Sequence, residues 1–183
     1  TLRHSSAASD VYKRQRQDII EFLLSSGCWP FIMQRPYAII ANYKSAPKSI
    51  FVSGYSSEPL SANLDFTLKD NKKEIQAAIS ALDKLTEGNV NVSVEKSSSS
   101  IFREIEDIDL YNVSGPHPSG NVGSLINKVD PVNKGESVWT VSAQDLVIIG
   151  HIILTGEFKA ERIVSLSGSS IESPRYFKTI IAV

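Results

Sequence analysis

Apolar positions along the chain follow two spacings, one near four residues and one of two, and the two alternate. "RQDIIEFLLSSGCW" sets Ile19, Ile20, Phe22, Leu23 and Leu24 on a helical repeat that Gly27 stops. "RPYAIIANYKSAPK" carries two prolines and predicts an extended surface segment. "KSIFVSGY" predicts a compact strand at Ile50 to Val52, with a sharp turn available at Gly54. "LKDNKKEIQAAISALDKLTEG" predicts an amphipathic helix: Ile75, Ala78, Ile79, Leu82 and Leu85 share one face, and Gly88 lies past its end. "NVNVSVE" alternates strictly, so Val90, Val92 and Val94 point to one side of a strand.

Strand, helix, strand in that order is a βαβ unit, which implies parallel neighbours in one sheet. "DIDLYNVSG" adds a third strand, "SVWTVSA" a fourth, "QDLVIIGHIILTG" a buried helix and "ERIVSLSG" a fifth strand; "RYFKTIIAV" continues in an extended apolar pattern. The pattern predicts an α/β protein: a three-layer Rossmann-like domain with a mainly parallel sheet. No repeat recurs at a period of roughly 20–50 residues, and "KSSSS" is a short polar loop.

Composition narrows the picture only in places. A length of 183 residues suits one domain, or one domain plus part of another. A formal net charge of −1 gives no basic face for nucleic acid. One cysteine, Cys28, excludes an internal disulfide and a Cys-only metal site; it suits a reducing compartment and reads as a small apolar core residue. The run "LVIIGHIIL" is far shorter than the about twenty apolar residues of a membrane-spanning helix. "TLRHSSAASD" has no apolar core of a secretory signal. "DVYKRQ", Asp10 to Gln15, is what one reading frame of a common transposon sequencing adapter encodes. Residues 1–15 are therefore expected to be a disordered artefact, and the chain to be truncated at both ends.

The stretch richest in chemistry is "SGPHPSGNVG", between the third strand and a following apolar segment. Its glycines, Gly115, Gly120 and Gly123, supply only the G-x-x-G half of a dinucleotide fingerprint. Pro116 and Pro118 remove N–H donors where a phosphate would need them. A phosphate or flavin cradle and a rigid structural or docking turn both remain open, and the turn is the reading the donors favour. His117 has no Ser/Asp partner at recognisable spacing and reads as a hydrogen-bonded loop histidine. His151 reads as a satisfied core histidine, and His4 falls in the suspected artefact. The three histidines show no metal-ligand spacing, so no metal site and no catalytic residue is expected. "GES" at Gly135 to Ser137 is not a nucleophile elbow. "EIEDID" reads as a solvated face. "SSEPLSAN" follows a strand where α/β proteins place ligands, but Glu58-Pro59 is stiff and the segment has no glycine.

Five stretches together, "SIFVSGYSSEPLSAN", "LTEGNV", "SGPHPSGNVGSLINKVDPV", "VWTVSAQDLVIIGHIILTGE" and "RIVSLSG…PR", resemble the NqrA family of the Na⁺-translocating NADH:quinone reductase, from about Arg16 to Val183. That resemblance implies a peripheral subunit on the cytoplasmic face of the bacterial inner membrane. Its partners would be the other Nqr subunits, chiefly the membrane component NqrB, with no nucleic acid and no membrane span of its own. It also implies a chain without a cofactor, the flavins and iron–sulfur centre residing in other subunits, and a link to ubiquinone or menaquinone. Residues 16–170 would then form the Rossmann-like middle domain, and residues 171–183 a strand or linker toward a β-grasp (SLBB) domain. Within this frame Ser114, Gly115, Pro116, His117, Pro118, Gly120 and Gly123 are the candidate contact loop for quinone or a partner subunit. The alternative is an RnfC-like electron-transfer domain that binds FMN and NADH. The single cysteine and the prolines of the loop count against it.

Overall fold

The computed structural model describes residues 16–181; the expected artefact at residues 1–15 lies outside them. A six-stranded sheet runs in the order β2-β1-β6-β3-β4-β5. Its strands are β1 (Met33–Arg35), β2 (Ile39–Ile40), β3 (Ile50–Ser53), β4 (Val90–Glu95), β5 (Asp109–Val113) and β6 (Val138–Ser142). Strands β6, β3, β4 and β5 are mutually parallel, while β1 and β2 add an antiparallel edge. The helices are α1 (Arg16–Ser25), α2 (Leu64–Leu68), α3 (Lys72–Asp83), α4 (Val122–Val129) and α5 (Ala143–Thr155).

The crossover from β3 to β4 runs outward to one side of β3, and the crossover from β5 to β6 returns to the other side. Right-handed connections travelling in opposite directions place their helices on opposite faces of a sheet. Accordingly α1, α3 and α5 pack with Ile50, Val52, Val90, Val92, Val94 and Trp139 in the larger core. Helix α4 covers Phe51 and Val138 on the other face through Leu125 and Ile126. The result is the expected α/β architecture with a mostly parallel sheet between helices.

Three elements differ from the sequence expectation. The "extended" segment after α1 is a short hairpin, β1–β2, that closes the sheet beside β6. Its strands are too short for a pattern of period two to stand out. The amphipathic helix begins at Lys72, and a separate short helix, α2, precedes it, started by Asn63 Oδ1 accepting from the Phe66 N–H at 3.0 Å. The polar positions of β4 are not solvated: Asn91 and Ser93 are as buried as the valines between them. The Asn91 Nδ2 donates to Asn89 O at 3.2 Å and Ile50 O at 3.4 Å, so the central strand buries an amide whose donors have acceptors.

Beyond α5, β7 (Glu161–Leu166) pairs only with β8 (Arg175–Ile180), in a separate antiparallel ribbon. The fifth strand thus does not extend the main sheet. The ribbon rests on the domain through Gln144 Nε2, which donates to Ile163 O at 3.0 Å, the Ile163 N–H, which donates to Gln144 Oε1 at 2.9 Å, and Tyr176 against Phe66.

Two close fits hold the layers. Lys48 Nζ pairs with Asp130 at 2.5 Å and Glu136 at 3.1 Å, and Ser49 Oγ donates to Asp130 at 2.7 Å, fastening the α4–β6 connection to the start of β3. Burial pushes the Asp130 carboxyl up, but its bonds from Lys48 and Ser49 outweigh that and leave it below its ordinary value. On the larger core, Gly150 brings α5 against α3: a Cβ there would stand 1.8 Å from the Glu74 carbonyl oxygen. Cys28 is fully buried, and burial is the main cause that pushes its thiol up to about 11.

Because backbone, not a flexible side chain, blocks that position, Gly150→Ala is expected to lower stability by roughly 2–3 kcal/mol or more, measured by denaturant unfolding. A loss under about 0.5 kcal/mol would contradict the close α3–α5 contact.

Candidate functional site

The loop Ser114–Gly123 leaves the carboxyl end of β5 and enters α4. Three side chains fold it on itself. Ser119 Oγ donates to Gly115 O at 2.8 Å, Ser124 Oγ donates to Pro118 O at 3.0 Å, and Ser53 Oγ, from the end of β3, donates to Gly120 O at 2.6 Å. Three of its backbone donors are also taken: the Ser119 N–H bonds Pro116 O, the Asn121 N–H bonds Pro118 O, and the Gly120 N–H bonds Ser57 Oγ at 2.9 Å. With Pro116 and Pro118 lacking an N–H, the middle of the loop offers no row of free donors of the kind that cradles a phosphate.

The loop is pressed onto the segment after β3. A Cβ on Gly120 would come within 2.5 Å of the Ser57 nitrogen and 2.8 Å of Tyr55 O, so only glycine fits there. The exposed His117 ring reaches across to the same segment, with Nδ1 3.3 Å from Ser57 Oγ. Ser114, Pro116 and Pro118 are also exposed, and Gly123 sits in the first turn of α4. The structure therefore brings "SGPHPSGNVG" and "SSEPLSAN", which are some sixty residues apart in sequence (Ser57 and His117, |i−j| = 60), into one surface.

His151 is not the core residue its apolar neighbours suggested. It is half-buried and lines a groove between α3, α5 and the ribbon, together with Lys159 and Lys178. Among the described residues no group of three His, Cys, Asp or Glu could hold a metal ion, and no helix is long and apolar enough to cross a membrane.

Sequence reading missed a second feature. Because the chain reverses its direction of travel at β3 and β6, a crevice opens at their carboxyl ends, the usual ligand position of a doubly wound sheet. A cavity of about 440 Å³ lies there, bounded by Met33, Arg35, Ser53, Gly120, Ser142 and Arg162. One signal was legible: "SAQD" directly after the β6 strand is a helix-start signature, and the Asp145 N–H indeed donates to Ser142 Oγ at 3.2 Å. Asp145 is ion-paired with Arg162 of β7. Burial nevertheless pushes its carboxyl above the ordinary 3.8, and Ser142 and Arg162 draw it only part of the way back.

Fold and loop define a doubly wound α/β domain whose glycine loop is folded onto itself and onto the segment after β3. The comparisons with known proteins agree with that class. The family model for the NqrA second alpha/beta domain matches residues 14–158. The NqrA protein of the Na(+)-translocating NADH-quinone reductase of Marinomonas sp. (strain MWYL1) is 32% identical over 98% of this chain and 40% of its own length. The corresponding NqrA of Histophilus somni (strain 2336) is 32% identical over 93% of the chain and 38% of its own length. That of Neisseria meningitidis serogroup B is 28% identical over 90% and 37%. This chain belongs to the NqrA family, as its second alpha/beta domain, and spans about 40% of the length of the curated relatives it matches. The matched range stops just before β7.

The folded chain holds the Asp145 proton to higher pH than the unfolded chain does, so stability at that carboxyl declines as pH rises through its folded pKa. Carboxyl NMR is expected to give a titration midpoint above 3.8, and a higher one in Arg162→Gln, whose stability should rise as pH falls through that midpoint. A midpoint at or below 3.8 would overturn this assignment of burial as the dominant cause.

Proposed function

We propose that this chain acts as part of the peripheral NqrA component of a Na⁺-translocating NADH-quinone reductase, without a redox centre of its own. The enzymatic reaction belongs to the assembled complex: electrons pass from NADH to quinone through flavins and an iron–sulfur centre carried by other subunits, and sodium is moved across the membrane. The chain contributes by docking to the membrane subunits, chiefly NqrB, from the cytoplasmic face of the bacterial inner membrane. The β7–β8 ribbon, which lies beyond the family-matched range, is the start of the link to the neighbouring module.

The observation that carries this reading is the inward turn of the Ser119, Gly120 and Asn121 N–H groups onto the loop itself and onto Ser57. A loop built this way is stiff and presents His117 and its prolines to the outside. It suits contact with a partner surface or a quinone headgroup and is poorly suited to grip a flavin phosphate. The same arrangement, with a single cysteine in the whole chain, weighs against an FMN- and NADH-binding electron-transfer domain.

Replacing His117 with alanine in the intact complex tests the assignment. Assembly or the KM for quinone is expected to change several-fold, while NADH oxidation by an artificial acceptor at the flavin-bearing subunit stays within about twofold. Unaltered assembly and quinone kinetics would remove the loop from the contact surface.

A further inference from the structure

The crevice at the ends of β3 and β6 holds basic groups that the fold itself leaves unsatisfied. Arg35 is the last residue of β1, and its register partner on β6 is Val138, which faces α4. Cross-strand partners point the same way, so the Arg35 side chain lies on the α4 side of the sheet, where it borders the cavity. Its Nε is buried and has no hydrogen-bond partner among the described residues. Across the cavity, Arg162 gives one Nη to Asp145, but its Nε is likewise buried and unpartnered. A buried guanidinium N–H without an acceptor is costly, and both arginines that carry one border the same cavity.

The rest of the lining matches an anion. Asn121, at the start of α4, makes no side-chain cap, so the first N–H groups of that eight-residue helix are not covered by it, and Asn121 and Val122 both border the cavity. Thr140 and Ser142 add hydroxyls, while Phe31 and Met33 give one apolar wall. Two carboxylates are near. Asp145 is committed to Arg162, and Glu58 is exposed at the rim. Arg35 is left as the cation without a counter-charge on this wall.

We infer that this cavity binds the oxyanion head of a small ligand, a carboxylate or a phosphate, with the Arg35 guanidinium as its principal anchor and the uncapped Val122 N–H at the start of α4 as a second donor. The apolar body of the ligand lies against Phe31 and Met33. This site is separate from the exposed face of the Ser114–Gly123 loop, and its argument does not depend on the assignment to the respiratory complex.

The test uses two probes with one ring and different heads, phenyl phosphate and benzoate, titrated into the ¹⁵N-labelled chain at fixed ionic strength. The expected result is a saturable millimolar response at the Arg35 and Arg162 Nε–H signals and at the Val122 and Gly123 amides. Arg35→Gln should weaken it about tenfold or more, and Arg35→Lys, which keeps the charge but not the fork, should weaken it less. A response to phenyl phosphate alone assigns a phosphate head, and one to benzoate alone a carboxylate. If Arg35→Gln does not fold, the Arg35→Lys titration and the location of the wild-type shifts decide. The inference is overturned by no saturable response to either probe, by shifts scattered over surface lysines, or by a response that folded Arg35 variants leave unchanged.

Discussion

Burial of β3 on both faces is the constraint from which the remaining architecture follows. Ile50 and Val52 face the larger core, Phe51 faces α4, and all three are fully buried. A strand this short can be covered on both sides only if crossovers leave it in both directions along the sheet, since right-handed connections put opposite travel on opposite faces. That requirement sets the strand order, splits the core into two clusters, and opens the crevice at the ends of β3 and β6. Lys48, Ser49 and Asp130 fasten the return crossover at the other end of the same strand.

The carboxyl end of β3 then decides what the glycine loop can do. Ser53 and Ser57, on and just after the strand, take up Gly120 O and the Gly120 N–H, and the close approach leaves no room for a side chain at that glycine. The glycine loop is here spent on packing two segments together. The consequence is an exposed surface around His117 beside a cavity that Arg35 and Arg162 border. The match to the second alpha/beta domain of the NqrA family agrees with this α/β architecture.

Much of this was legible from residue patterns. The alternating valines of β4, the helical face of Ile75 to Leu85 and the "IFVS" strand each carry a strong period, because each meets the core along its whole length. The β1–β2 hairpin was not legible, since strands of three and two residues hold no period, and their pairing with β6 is set by tertiary contact. The buried Asn91 and Ser93 hid for a related reason: their polarity reads as solvent exposure until the helix above them is placed. In the loop, the prolines already argued against a phosphate cradle. What sequence could not supply was the partner, because Ser57 lies sixty positions away from His117. The cavity arginines were illegible for the same reason, being contributed by β1 and β7, at opposite ends of the described chain.

The central claim is that a doubly wound α/β fold here carries a glycine loop whose central N–H groups, at Ser119, Gly120 and Asn121, are closed to phosphate. Titrating the folded chain with FMN and with NADH, following flavin emission and the fluorescence of Trp29 and Trp139, tests it most directly. The account predicts no saturable binding at micromolar ligand. Saturable micromolar binding of FMN that persists in a folded Arg35→Gln chain would contradict it, because the Ser119, Gly120 and Asn121 N–H groups would then have to leave their internal partners and turn toward the ligand.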